Sequence, residues 1–81
     1  MNYQELSPQG EQLLAEIVNM KNNKGDNSQH WEKRFDSLSL DEDSLLRSTF
    51  KELKDLGYIT VQWADNIPYI LNLTVDGVNY F

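Results

Sequence analysis

The chain has no cysteine, a single histidine, two prolines and four scattered glycines. Without cysteine it has neither a disulfide staple nor a thiolate-bound zinc, so stability must come from packed apolar side chains. The absence also fits a reducing cytoplasm. His30 stands alone, and a metal site built on it would have only carboxylates to complete it. Asp41-Glu42-Asp43 has the acidity of a calcium loop, but the position that demands glycine is Leu46. No Gly-rich phosphate loop follows a strand pattern, and no serine has a histidine in a triad-like arrangement. The chain is therefore read as non-enzymatic, with no catalytic residue, no metal and no cofactor. Long apolar runs are missing too: none approaches the ~20 residues that cross a bilayer. The polar, acidic start from Met1 to Glu5 is unlike a signal peptide. A cytoplasmic protein without membrane contact is expected.

Cations are scarce as well. The chain of 81 residues carries a formal net charge of −6, which opposes indiscriminate binding to nucleic acid or anionic membranes. The charge is uneven. Residues 21–40 carry +1, whereas 1–20, 41–60 and 61–81 carry −3, −2 and −2. Five of the seven basic residues form two clusters, Lys33 with Arg34 and then Arg47, Lys51 and Lys54. Between Tyr58 and Thr74 there is no Lys or Arg at all.

What is present makes one small domain. A chain of this size buries roughly 60–65% of its unfolded surface, and 40% hydrophobic content with nine aromatics supplies one core. Ser7 is a candidate N-cap with Pro8 at the first helical position. Leu13, Leu14, Ile17 and Val18 then recur at helical spacing. Asn22 through Ser28 reads as a loop by composition. A second, short helix from near Ser28 presents Trp31, Phe35 and Leu38 on one face. Ser39-Leu40-Asp41-Glu42 is a capping box, and the helix behind it buries Leu45, Leu46, Phe50, Leu53 and Leu56 before Gly57 stops it. Tyr58 to Trp63 reads as a strand, Ala64-Asp65-Asn66-Ile67 as a turn, and Pro68 to Leu73 as the returning strand. Pro68 is expected at an edge or at a strand's first residue. Thr74 then caps a last helix of about two turns.

Leu53-x-x-Leu56-Gly57-Tyr58-Ile59, a hairpin, and then Leu73-Thr74-x-x-Gly77-x-x-Tyr80 resemble the third-helix, wing and final-helix run of winged helix-turn-helix regulators of the MarR-like and PadR-like type. The resemblance is specific over 41–81 and rests on helix number and spacing alone over 1–38. It implies an α+β winged helix in a single domain over 1–81, with three helices, a two-stranded hairpin wing and the start of a C-terminal helix. An aromatic pair at the end of a barely started helix reads as the end of a domain excised from a longer protein.

In that family the third helix enters the major groove of DNA and the wing touches phosphate or the minor groove. At about 100° per residue, Ser44, Arg47, Lys51 and Lys54 lie opposite the apolar arc of helix 39–56, with Ser48 at the border. Arg, Lys and Ser are residue types that reach base edges and phosphates. The leading expectation is a nucleic-acid-binding module of transcription-regulator type, contacting duplex DNA weakly as an isolated domain through Arg47, Lys51 and Lys54, with Ser44 and Ser48 in support. The plain alternative is a solvated helix face bordered by Asp43, Glu52 and Asp55. The hairpin departs from the DNA-binding pattern, because phosphate tracking needs cations and its tip carries Asp65. It offers Trp63, Ile67 and Tyr69 instead, the composition of a protein-contact patch. The alternative function is thus a winged-helix interaction or assembly module, with a protein partner or self-association. Against that, Trp63 and Tyr69 are also readable as a cross-strand pair folded back over the core.

Overall fold

The computed structural model describes residues 6–20 and 24–80, with Lys24 described in its backbone only. Seven elements follow in order: α1 (Pro8–Val18), β1 (Lys24–Asp26), α2 (Ser28–Asp36), α3 (Leu40–Asp55), β2 (Ile59–Ala64), β3 (Ile67–Leu73) and α4 (Val75–Val78). The fold is α+β, four helices against one antiparallel sheet of strand order β1-β3-β2.

Local chemistry accounts for most boundaries. Ser7 accepts from the Gly10 amide at 3.0 Å and Pro8 occupies the first turn of α1. The capping box of α3 is complete: Glu42 N donates to Ser39 Oγ at 3.3 Å and Ser39 N donates to Glu42 Oε1 at 3.1 Å. Gly57, at φ +83°, ends that helix in the left-handed region open to glycine. Asp65 and Asn66, at φ 53° and 64°, form a two-residue hairpin loop of the twist that suits antiparallel strands. Thr74 caps α4 by accepting from Gly77 N at 3.1 Å.

The third strand was not expected. Lys24-Gly25-Asp26 is turn-forming in composition, and the sequence reads it as loop. It is a strand because β3 offers it a ladder: Lys24, Gly25 and Asp26 face Asn72, Leu71 and Ile70. Asn27 N donates to Tyr69 O at 3.0 Å and Gly25 N to Asn72 Oδ1 at 3.0 Å. The pairing partner lies far along the chain, so local composition carries no trace of it. With β1 in place β3 becomes the central strand, and Pro68 sits in it rather than at an edge. The ladder tolerates proline there because β1 ends opposite Ile70, and because β3 bulges, Gln62 facing Ile70 while Trp63 faces Pro68. The bulge leaves Tyr69 without a partner residue in β2 and turns Pro68 inward, where it is fully buried.

The core is a single cluster in which Leu14, Ile17, Trp31, Phe50, Leu53 and Leu71 are wholly or almost wholly removed from solvent. Phe50 is its centre. Its ring meets Trp31 edge-on at 4.9 Å, Trp63 edge-on at 5.6 Å and Phe35 stacked at 6.3 Å. Trp31 Nε1 is buried with no hydrogen-bond partner among the described residues, a cost of about 1–3 kcal/mol that its ring contacts offset in part.

Leu45, expected in the core, is 49% exposed. The inward stripe of α3 is Leu46, Thr49, Phe50 and Leu53, so position 49 takes the place assigned to 45. Thr49 is tolerated there because its hydroxyl donates to the Leu45 carbonyl at 2.6 Å. Leu56 and Leu38 are partly buried at the margin, Leu38 lying beyond the end of α2.

Glu52 clasps α1 to α3. Its carboxylate accepts from Ser7 N at 2.9 Å and Ser7 Oγ at 2.8 Å, at a helix N-terminus that favours negative charge. Gly77 lets α4 lie against the hairpin base, since a Cβ there would collide with the Tyr58 carbonyl and stand 2.7 Å from Leu73 Cδ1.

Two substitutions test this packing. Phe50→Ala is expected to cost about 3–5 kcal/mol, the range for a buried phenylalanine, read as a large fall in the urea midpoint. Gly77→Ala is expected to cost about 1–3 kcal/mol through overpacking. A melt with the parent midpoint would show that α4 does not sit on the Tyr58 carbonyl.

Candidate functional site

α3 and β2 follow one another through the turn at Gly57. Between them lies an open groove of ≈ 620 Å³. Arg47, Lys51 and Lys54 line its helical wall, and Val61, Trp63 and the hairpin tip its other wall. The cationic helix face and the aromatic strand, rival surfaces in the sequence, are two sides of one groove.

The three cations differ. Arg47 is engaged on all sides: it donates to both carboxylate oxygens of Asp43 and, at 2.6 Å, to the Asn66 carbonyl in the hairpin loop. Its guanidinium lies 4.5 Å from the centre of the Phe35 ring and 5.7 Å from that of Trp63. It therefore closes the top of the aromatic cluster and ties the hairpin to α3. Lys51 reaches one turn along to Asp55 at 2.8 Å. That hydrogen bond holds the Lys51 ammonium above its ordinary pKa and the Asp55 carboxyl below its own. Both side chains are largely exposed, 75% and 53%, so solvent screens the pair and it adds little to stability. Lys54 has no ion pair among the described residues. Ser44 and Ser48 are exposed on the same outward face, with the Ser48 hydroxyl donating to the Leu45 carbonyl at 2.9 Å.

Of the acids expected to border this face, Asp43 and Asp55 do so and Glu52 does not, being held on α1. Asp65 adds a negative charge at the hairpin end of the groove. Three cations are thus set among three carboxylates, and the surface is close to neutral.

Trp63 is 41% exposed. Its inner edge touches Phe50 and Phe35, and its partner across the ladder is Pro68 rather than Tyr69. A cross-strand Trp63–Tyr69 pair does not form, because the β3 bulge takes Tyr69 out of register. Tyr69 is 43% exposed and Ile67 is half-buried against the core.

A second groove, of ≈ 320 Å³, lies between α1 and the N-terminal half of α3, with Leu45 and Leu38 on its walls. Glu16 bridges its rim, 3.3 Å from Arg34 Nε and 3.3 Å from His30 Nε2. His30 is exposed, its ring edge-on to Trp31 at 4.6 Å. Among the described residues no three His, Asp or Glu side chains converge on a point that could hold a metal ion. Among the same residues no helix is long and apolar enough to cross a membrane.

No signal in the sequence shows that Arg47 reaches Asn66 or that Glu52 leaves the helical face for Ser7. Both contacts join residues far apart in the chain. No family model matches the chain, and neither a curated protein nor a solved structure is significantly similar to it.

If Arg47 holds the hairpin on α3, Arg47→Ala will lower stability by about 1–2 kcal/mol, a charged hydrogen bond discounted for a side chain one-third exposed. Arg47→Lys should recover less than half, because an ammonium lacks the planar fork. Urea melts read both, and an Arg47→Ala variant of unchanged stability would leave the side chain purely a surface group.

Proposed function

We propose that the chain is a winged-helix binding module whose groove between α3 and β2 takes a protein segment. The observation that carries this reading is the state of the cationic face. Arg47 is committed to Asp43, Asn66 and the aromatic cluster, Lys51 is paired with Asp55, and the hairpin beside them supplies Trp63 and Val61 but no cation. A duplex draws most of its affinity from cations freed to displace counterions. A protein surface instead favours a half-exposed tryptophan rimmed by charges that are already balanced.

Duplex binding is the second reading. It is favoured by the outward exposure of Ser44, Ser48, Lys51 and Lys54 on one helix face, and by the resemblance to regulators. Its opponents are the acids at 41–43 in the first turn of the same helix and Asp65 at the hairpin tip.

A photo-crosslinking amino acid in place of exposed Ala64, at the groove, should give discrete protein adducts in cells, whereas one in place of Gln29 on α2 should not. A labelled duplex pool titrated at low salt, with the protein as monomer and as forced dimer, should show no binding. Salt-sensitive duplex binding that Lys51→Glu abolishes would overturn the protein reading and install the other.

A further inference from the structure

β2 is an edge strand, and it lacks the usual protections of one. Ile59-Thr60-Val61-Gln62-Trp63-Ala64 contains no charge, no proline and no glycine. Natural edges of this length are commonly blunted by lysine, proline or a bulge. Among the described residues the one bulge in this ladder lies in the neighbouring β3, and β2 contributes no extra residue to it. Among the described residues no strand pairs with its outer side.

The backbone polarity of that side follows from the ladder. Thr74 N donates to Tyr58 O at 3.1 Å, which makes Tyr58 and Thr74 a hydrogen-bonded pair. Antiparallel pairs alternate. Thr60 and Gln62 therefore turn their backbone groups to Asn72 and Ile70 in β3, and Ile59 and Val61 turn theirs outward.

Both faces of this edge are hollow. On the helical face lies the ≈ 620 Å³ groove walled by Lys51, Lys54 and Trp63. A second groove, of ≈ 500 Å³, runs along the edge past Ile59 and Val61 and onto the opposite face over Thr60, Gln62, Ile70 and Asn72. Lys54 borders both. An added strand would send alternate side chains into the two grooves, the geometry by which sheet edges capture extended segments.

We infer that the outer edge of β2 captures an extended, acidic segment of a partner protein by strand addition, its carboxylates meeting Lys51 and Lys54 while its backbone bonds Ile59 and Val61. The inference rests on reading the groove as a protein-binding surface. The charge of the helical wall selects the occupant. Lys54 has no ion pair among the described residues, and Lys51 can exchange an exposed Asp55 for a carboxylate on the incoming strand. A second copy of the chain does not fit. Two β2 strands paired about a two-fold axis perpendicular to the sheet would keep both α3 helices on one face. Lys51 and Lys54 of one copy would then confront their equivalents, between two chains each of net charge −6.

The probe is an acetylated, amidated heptapeptide alternating glutamate with valine, titrated into the 15N-labelled chain at low salt. Saturable binding is expected, with slowed hydrogen exchange at the Ile59 and Val61 amides. The Lys51→Glu/Lys54→Glu double variant should bind about tenfold more weakly or worse, as should a peptide with lysine in place of glutamate. A peptide N-methylated at alternate amides should fail while leaving the protein untouched, so the test of main-chain pairing does not depend on a variant that unfolds. Equal binding of the lysine or the N-methylated peptide, or no binding of the parent peptide, overturns the inference. A dimer present without peptide and dispersed by Val61→Pro also overturns it, in favour of self-pairing. Crosslinks from position 64 alongside a silent peptide titration overturn strand addition alone and leave the protein-binding reading standing. Duplex binding lost in Lys51→Glu overturns both.

Discussion

Phe50 is the contact on which the rest of the molecule leans. Its ring is fully buried and touches an aromatic from α2 on two sides and Trp63 from the hairpin on a third. A domain this small has one core and a margin of a few kcal/mol, so a residue shared by α2, α3 and the sheet sets the relative position of all three. Arg47, one turn before it, closes the cluster from outside by lying over Phe35 and Trp63 while bonding the hairpin loop. The aromatic core and the groove are therefore one construction. The same tryptophan that presents an exposed face to the groove anchors its inner edge on Phe50.

That sharing gives the groove two unlike parts. Its back wall is held by buried rings and a guanidinium with several partners. Its front consists of lysines with weak, exposed pairings and a strand edge whose outward backbone groups have no partner strand among the described residues. For the strand addition proposed above, affinity would come from main-chain bonds made on arrival, and selectivity from what the alternate side chains meet. The near-neutral balance of the helical wall, three cations among Asp43, Asp55 and Asp65, disfavours a polyanion but leaves room for one or two carboxylates placed in register.

Capping and turn chemistry make much of the fold legible in the chain. Ser39 with Glu42, Gly57, the Asp65-Asn66 loop and Thr74 each mark a boundary through a short-range bond or a backbone conformation that those residue types favour. The apolar periodicity of α1 and α3 is equally local, which is why Leu13, Leu14, Ile17, Phe50 and Leu53 are recognisable as core. The errors have a common cause. Lys24-Gly25-Asp26 becomes a strand only because β3 is beside it. Leu45 is exposed because the core-facing arc of α3 runs through Thr49 rather than position 45, a rotation that packing sets and the helical period alone does not. Pro68 enters a central strand because a bulge turns it inward.

What the sequence determined by itself is the order of the four helices and the hairpin, the acidic total, and the presence of a cation-bearing helix followed by a hairpin without cations. These depend on neighbours within a few positions, or on composition alone. Tertiary structure decided the rest. It made Arg47 a clasp rather than a free cation, drew Glu52 away to Ser7, and placed Lys51 and Lys54 across a groove from Val61 and Trp63. It also put β3 rather than β2 in the middle of the sheet, leaving β2 as the edge. Each of these joins residues distant in the chain through geometry that only the packed core enforces, and no local pattern records it.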